Sequence, residues 1–489
     1  MSATTTDSYR QLIGGEWIEG SNGSYEIINP ATEEVVSEAP EASADDVHRA
    51  AQAAADAFPA WSRTDPRERA ALLEAAGKRL AERTPELIPL VIAEAGATSS
   101  VGSLMQIPVA ISRFDRYARG AMTDLTKGVP PQPIGATPLA GGALMGGVVN
   151  RVPVGVVACI SPYNFPTTNM VGKIAPALAV GCTVVMKPAP QDPLCVIELA
   201  KILDEVGFPP GVVNIVTGAS PEVGAVLVDD DNVDMVSFTG STSVGIKIVE
   251  AGARTMKRQL QELGGKGACV VTEDADLEKA IKGIASVWAF HSGQICTAPT
   301  RVIVHRSRYD ELVSGLAAAA GSLKVGDPLE ADTVVGPVIS GIQRDRILAA
   351  IAAGVDEGAE LVVDGRDPGM DTGFYVGPTL LAGCNNGMSP VREEIFGPVV
   401  VVVPYGDEDE AIAIANDSDY GLLAYVFCED GARAYTLAKQ IRSGTVAINT
   451  AQRHHEVPFG GFKLSGIGRD GGDYGLEAYT ELQSVIWPA

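Results

Sequence analysis

From residue 151 the chain alternates short apolar runs with amphipathic ones. VPVGVVACISP, TVVMKPAP, VVNIVTG and VDMVSFTG are strand-length and apolar on both faces. Each is followed by a run with helical periodicity: NMVGKIAPALAVG, PLCVIELAKILDEVG, SPEVGAVLVDD and STSVGIKIVEAGAR. Four such strand–helix units predict a parallel sheet covered by helices on both faces. A second series follows LQELGGKGACVV, with TRVIVH and EEIFGPVVVVVPY as strands and ADLEKAIKGIASVWAF and YDELVSGLAAAAGSL as helices. It predicts a second α/β domain.

Before these series the pattern differs. QLIGGEWIEGSNGSYEIINPATEEVVSEAP reads as short strands broken by Gly, Asn and Pro turns. SADDVHRAAQAAADAFPAW opens with a serine cap and an acidic first turn, and its alanine-rich body predicts a helix. DPRERAALLEAAGKRLAERTPELIPLVIAEAG continues helically, with proline breaks expected near 85 and 89. The segment 127–150 is rich in Pro and Gly but keeps apolar residues, so extended strands are expected there. An arm joining subunits and a connector within one subunit both fit it. The tail YGLEAYTELQSVIWPA ends apolar, which fits a docked terminus.

Composition narrows the function. The 489 residues carry a net charge of −24 and are 46% hydrophobic. That argues for several packed domains and against a nucleic-acid or anionic-membrane surface, which needs clustered Lys and Arg. The N-terminal run has no basic segment followed by an apolar one, so no signal peptide is expected. No apolar run reaches the ~20 residues of a membrane helix. Seven scattered cysteines without a CxxC, and five histidines without ligand spacing, indicate neither disulfides nor a metal site. A reducing cytoplasm is the expected compartment.

Several residues carry candidate chemistry. SFTGSTSVG places Gly240 and Ser241 between a strand and a helix, where free N–H groups favour a phosphate. TVVMKPAP puts Lys187 at a strand's carboxyl end, the ligand side of such sheets. QELGGK puts Glu262 at the junction of the two series, a position suited to a general base. HSGQIC puts Cys296 at the end of a predicted helix, five residues after His291. A cysteine is a nucleophile only where its surroundings favour thiolate, and otherwise a small buried apolar group, as expected for the other six.

Taken together, SPYNFP, FTGSTSVG, ELGGK, GQIC, EEIFGP and PFGG, in that order, resemble the NAD(P)-dependent aldehyde dehydrogenase superfamily. The likeness runs from IGGEW to YGLEAYTE, and Glu262 and Cys296 are separated by 34 residues, as in the family. It implies an aldehyde-dehydrogenase-like α/β fold: a Rossmann-type dinucleotide-binding domain, an α/β catalytic domain and a small β oligomerisation arm. The expected division is 1–126 with 149–262, 263–458, and 127–148 with 475–489 respectively. By the resemblance, Cys296 attacks the aldehyde and Asn164 with the Cys296 N–H stabilises the oxyanion. Hydride leaves for the nicotinamide, and Glu262 activates water to hydrolyse the thioester, with Lys173 in support. His291 then loses its claim as a base. For the cofactor, NAD or alternatively NADP, the resemblance implies Lys187 near the adenosine ribose and Ser241 on the pyrophosphate. Glu394 holds the nicotinamide ribose beside Phe396, while Thr239, Gly240, Gly218 and Gly224 line the cleft. Gly265 belongs to the same set and supports the catalytic centre. No metal is implied.

Departures from the pattern set further expectations. Pro190 stands where many relatives carry a glutamate that repels a 2′-phosphate, which weakens strict NAD selectivity. Tyr163 replaces the usual tryptophan, and Gly172 replaces a side chain that is often bulky. Both predict a wider tunnel and a bulky, aromatic or hydrophobic aldehyde. The lack of an arginine at 172 counts against a short acidic aldehyde, with Arg453 as a remaining candidate for that part. The product is a carboxylic acid, and the expected assembly is a homodimer or homotetramer. Two alternatives are a CoA-acylating aldehyde dehydrogenase, which tends to lack the glutamate, and a non-catalytic NAD-binding structural protein, which would lose the cysteine, glutamate or asparagine.

Overall fold

The computed structural model describes residues 9–488. The first eight residues, where the signal-peptide reading and the start of the expected nucleotide-binding segment fall, lie outside the described residues, as does the last residue of the tail.

All four predicted strand–helix units form. Val156–Ile160, Thr183–Lys187, Val213–Ile215 and Met235–Thr239 are joined by Arg258–Glu262 as the parallel centre of an eight-stranded sheet. The helices Pro166–Val180, Leu194–Glu205, Pro221–Asp229 and Thr242–Gly252 follow the first four. The chain steps outward from Val156–Ile160 through two strands, then returns to lay Met235–Thr239 and Arg258–Glu262 on its other side. Strand order reverses at Val156–Ile160, and the crevice beside such a reversal is where open α/β sheets bind ligands. The hairpin Gln11–Ile13 and Glu16–Ile18 extends one edge. At the other edge Gly466–Ile467 pairs antiparallel with Arg258–Glu262, which sets Gly466 opposite Glu262.

The first unit begins later than its apolar run. Pro153 ends a different strand, Ala143–Pro153, and Gly155 turns the chain at φ 130° before Val156. An L side chain rarely adopts that φ, so glycine marks the border. Ser43 caps Ala44–Trp61, and Asp46 bonds back to the cap as a capping box. Of the two expected proline breaks, one occurs at Arg83, with Pro85 in the first turn of Thr84–Ala95. Pro89 stays inside that helix and forgoes one helix hydrogen bond.

The second series forms a seven-stranded sheet. Its order is Glu360–Val363, Thr379–Ala382, Val399–Tyr405, Arg301–His305, Ala268–Val271, Leu423–Phe427 and Thr445–Ile448. All pairs are parallel except the Glu360–Val363 edge. Buried apolar side chains cover both faces of each large sheet. A third, three-stranded antiparallel sheet joins Lys127–Ile134, Ala143–Pro153 and the tail strand Thr480–Pro488. It leaves Ile134, Leu144, Leu482, Ile486 and Trp487 exposed. Among the described residues no helix is long and apolar enough to cross a membrane, and no His, Cys, Asp and Glu cluster suits a metal.

Candidate active site

Four of the predicted site residues sit at or just past the carboxyl ends of parallel strands. Asn164 follows Val156–Ile160, Lys187 ends Thr183–Lys187, Thr239 ends Met235–Thr239 and Glu262 ends Arg258–Glu262. Thr239 and Glu262 are register partners, so the base candidate and the phosphate-loop candidate share one rim. They open onto a continuous cleft of about 1750 Å³, also lined by Lys173, Gly224, Gly240, Ser241, Cys296, Glu394 and Phe396. Gly218 and Gly265 lie behind its wall. A Cβ on Gly218 would meet Val223, and one on Gly265 would lie 2.4 Å from the Cys296 carbonyl oxygen.

Cys296 is on a loop, not at the end of a helix. The helix Leu277–Trp288 stops where the indole N–H of Trp288 donates to Pro398 O at 2.8 Å. His291, Ser292 and Gly293 then take positive φ values of 51°, 55° and 71°. Consecutive left-handed residues cannot continue a right-handed helix. The turn they make carries Cys296 back to the cleft, half-buried, while the other six cysteines are buried. Burial pushes its thiol pKa up to about 12; the Glu394 carboxylate adds to the rise and the Arg453 guanidinium opposes it.

Asn164 is held from every side. Its carbonyl accepts from Gln106 Nε2 at 3.0 Å and from His291 Nε2 at 2.6 Å. Its Oδ1 accepts from the Phe165 N–H, and its Nδ2 donates to Gln294 O at 2.8 Å. One amide hydrogen remains free for an oxyanion. His291 is therefore a positioning residue. Since a carbonyl only accepts, Nε2 carries the hydrogen, and burial pulls the imidazole pKa down to about 4.

Glu262 is 5% exposed, and both its carboxylate oxygens lack a hydrogen-bond partner. Burial, then the nearby Asp470 charge, raises its pKa well above the usual range, while Lys173, Arg453 and Arg469 pull it down. A desolvated carboxyl with free lone pairs suits a general base. Lys173 donates to Ser237 Oγ at 3.3 Å, and that hydroxyl shares a 2.9 Å bond with Tyr479 OH. Lys173 is thus tied, through Ser237, to the C-terminal segment.

The ELGGK glycines have separate reasons. A Cβ on Gly264 would fall 2.3 Å from Glu394 Oε2, and the Gly265 N–H donates to Glu394 Oε1 at 2.9 Å. The Glu394 carboxyl is raised to about 7 by burial, against the pull of that bond and of Lys266. Phe396 takes φ 55° and stands edge-on to Tyr163, centroids 5.9 Å apart. Tyr163 thus meets the side of the cleft expected to hold the nicotinamide ribose. Lys187 is 8% exposed, and burial lowers its pKa to about 8.

Gly172 does not leave an open space. A Cβ there would lie 1.8 Å from Arg113 Nη1, so the guanidinium fills the slot. Arg113 comes from the helix Ile107–Ala121, distant in sequence, and no local pattern reveals it. Gln106, Gln294, Asp470 and Tyr479 were likewise silent in the sequence, because their roles come from long-range contacts.

Comparisons with known proteins identify the family and the fold. A sequence model of the aldehyde dehydrogenase family matches residues 17–485. The 3-succinoylsemialdehyde-pyridine dehydrogenase of a Pseudomonas species is 40% identical over 483 residues, 98% of each chain. Among solved structures, betaine aldehyde dehydrogenase from Staphylococcus aureus in complex with NAD+ superposes with a TM-score of 0.93 at 36% identity, covering 98% of this chain and 94% of that one. An aldehyde dehydrogenase from Bacillus cereus in its NAD+ complex gives 0.92 at 37% identity, covering 99% and 98%. With a match across nearly its whole length, this chain belongs to the aldehyde dehydrogenase family.

Proposed function

We propose that the protein oxidises an aldehyde to the carboxylic acid with NAD+, through a thioester on Cys296. The observation that carries this reading is the convergence of Cys296, Asn164 and Glu262 on one cleft that also holds Lys187 and Glu394. The cleft residues fit a dinucleotide. Lys187 Nζ has one acceptor, Pro188 O at 3.1 Å, and donors to spare. The helix Thr242–Gly252 begins at the cleft with no side-chain cap on its first-turn amides. Glu394 is oriented by Gly265 and offers its remaining lone pairs. When bound, the nicotinamide supplies the hydride acceptor, so that aldehyde, water and NAD+ give acid, NADH and a proton.

The chain's own residues perform the rest. The Cys296 thiol gives up its proton to solvent, its sulfur adds to the carbonyl carbon, and the free Asn164 amide hydrogen with the Cys296 N–H receives the oxyanion; one such donor is worth about 3 kcal/mol. Loss of hydride leaves the acyl group on sulfur. Glu262 takes a proton from water, water's oxygen bonds to the acyl carbon, and the C–S bond breaks to restore Cys296. The retained Glu262 favours water over CoA as acyl acceptor.

The apolar side chains lining the cleft, including Val109, Phe165 and Phe290, support a bulky, aromatic or hydrophobic aldehyde. NAD+ is the proposed coenzyme, with NADP+ as the alternative because Pro190 brings no carboxylate to the cleft. The exposed apolar face of the three-stranded sheet supports a homodimer or homotetramer. The domain division is proposed as read from the sequence, and seven free cysteines suit a reducing cytoplasm. The test is NADH formation from a panel of aliphatic and aromatic aldehydes, with Cys296→Ala beside the wild type. Turnover that survives loss of the thiol overturns the covalent route, and no turnover from protein that binds NAD+ overturns the dehydrogenase reading.

A further inference from the structure

Two helices, Pro221–Asp229 and Thr242–Gly252, begin at the cleft wall, and their leading amides are used differently. Thr242–Gly252 has no side-chain cap, so its first-turn amides stay open to a phosphate. Those around the start of Pro221–Asp229 are taken. The Ala219 N–H donates to Glu41 Oε2 at 2.6 Å, and the Ser220 N–H donates to Glu41 Oε1 at 3.2 Å. Pro221 has no N–H. The Glu222 N–H donates to Ser220 Oγ at 3.1 Å and the Val223 N–H to Ser220 O at 3.3 Å. Just upstream, the Thr217 N–H donates to Gln11 Oε1 at 3.2 Å. The chain's own carboxylate therefore fills an anion seat on this loop.

Glu41 is held there from several sides. It lies between the strand Val35–Pro40 and the helix Ala44–Trp61, far in sequence from the loop it serves. Its N–H donates to Gly23 O at 2.8 Å, and its carbonyl accepts from the Asn22 N–H at 3.0 Å. On either side of it, Thr217 Oγ1 donates to Pro40 O and the Ala42 N–H donates to Thr217 O. The half-buried carboxylate lies against Gly218, where a Cβ would come 3.0 Å from Oε1. Lys187 packs on the same helix start, since a Cβ on Gly224 would lie 3.8 Å from Lys187 Cε. Burial discourages the Lys187 charge, and Glu41 is the charged group that supports it.

Pro190 lines the same cleft as Lys187 and carries no charge to repel a 2′-phosphate. Without Glu41, the Lys187 ammonium and two free amides would suit such a phosphate. With it, the amides are occupied and the lysine has a counter-charge. We propose that Glu41 makes the cleft select NAD+ over NADP+: its carboxylate holds the Ala219 and Ser220 amides that a 2′-phosphate would take, and repels that phosphate beside Lys187. This rests on the dehydrogenase reading above and decides its coenzyme. The selecting charge stands behind the cleft wall, on a segment that no nucleotide-binding motif includes.

The experiment reads binding rather than turnover. Titration calorimetry gives Kd for NAD+ and NADP+, and for 5′-AMP and adenosine 2′,5′-bisphosphate, a pair that differs only in the 2′-phosphate. Wild type, Glu41→Gln, Glu41→Ala and Glu222→Gln are compared, with thermal unfolding to show that each is folded. Glutamine keeps the shape and one acceptor without the charge, and alanine empties the seat. Glu222 also lines the cleft, so Glu222→Gln removes the same charge nearby and leaves the seat filled. Wild type should bind NAD+ more tightly than NADP+ by about tenfold or more, as a charge-assisted bond is worth. That ratio should fall about tenfold in Glu41→Gln and further in Glu41→Ala, through tighter NADP+, and the adenylate pair should follow it. Glu222→Gln should move it by less than about threefold. A wild type that binds NADP+ as tightly as NAD+ overturns the inference. So does an unchanged ratio in the folded Glu41 variants, or an equal fall in Glu222→Gln, which would make the preference one of overall charge. Should Glu41→Ala fail to fold, the glutamine variant decides. No binding of either dinucleotide by folded wild type overturns the dehydrogenase reading instead.

Discussion

His291 Nε2 donates to the Asn164 carbonyl oxygen at 2.6 Å, joining the cysteine loop to the strand end that carries the proposed oxyanion donor. The two halves of the reaction centre come from different sheets, and this bond fixes their spacing. His291→Ala leaves that carbonyl with Gln106 as its one remaining side-chain donor and opens a cavity. We expect kcat to fall about tenfold to a hundredfold, with KM less affected, because the oxyanion donor is misplaced. Stability should drop by about 2–3 kcal/mol. Steady-state kinetics and thermal unfolding measure both, and an unchanged kcat would remove His291 from the positioning role.

The pH profile follows from two raised pKa values. The Cys296 thiol, at about 12, and the buried Glu262 carboxyl both hold protons at lower pH. Each works in its deprotonated form, so activity should keep climbing as pH rises above neutrality and not peak there. Glu262→Gln should release about one equivalent of NADH per subunit in a burst and then stall at the thioester. Rapid-mixing absorbance reads the burst; steady turnover without one would transfer the base role to another group.

Gly264→Ala tests the cofactor side. The new Cβ would meet Glu394 Oε2 and turn that carboxylate away from the Gly265 N–H. We expect KM for NAD+ to rise about tenfold, with KM for the aldehyde changed far less. Initial rates at varied NAD+ decide it, and an unaltered NAD+ dependence would detach Glu394 from the nucleotide.

The third sheet exposes Ile486 on the tail strand, 70% accessible. If this face is buried between copies, Ile486→Glu places a charge in an apolar contact and should shift the protein to a smaller species. Sedimentation at matched concentrations shows the change. A wild-type monomer would end the oligomer proposal.

Much of this was legible before any coordinates. The four strand–helix units were visible because buried parallel strands are apolar throughout, and that signal is local. Cys296, Glu262, Asn164 and Glu394 were named from short motifs in a fixed order, and all four reach one cleft. The unreadable parts share a cause. That Gly172 is filled rather than empty depends on Arg113, from a different helix. That His291 holds Asn164 rather than acting as a base depends on a bond to a residue 127 positions away, which no local pattern carries. The helix expected to end at Cys296 ends at Trp288, and the left-handed residues His291, Ser292 and Gly293 then carry the chain away from its axis.

The short strand Gly466–Ile467 has a consequence for biosynthesis. It closes the edge beside Glu262, and the Leu263 N–H donates to Ser465 O at 3.0 Å. Synthesis runs from the N-terminus, so the strand bearing the proposed base leaves the ribosome long before its edge partner exists. A nascent chain can assemble the central strands early, but its reaction centre stays unfinished until nearly the last residues are made. The reactive cysteine therefore meets its completed surroundings only in a chain that is almost whole.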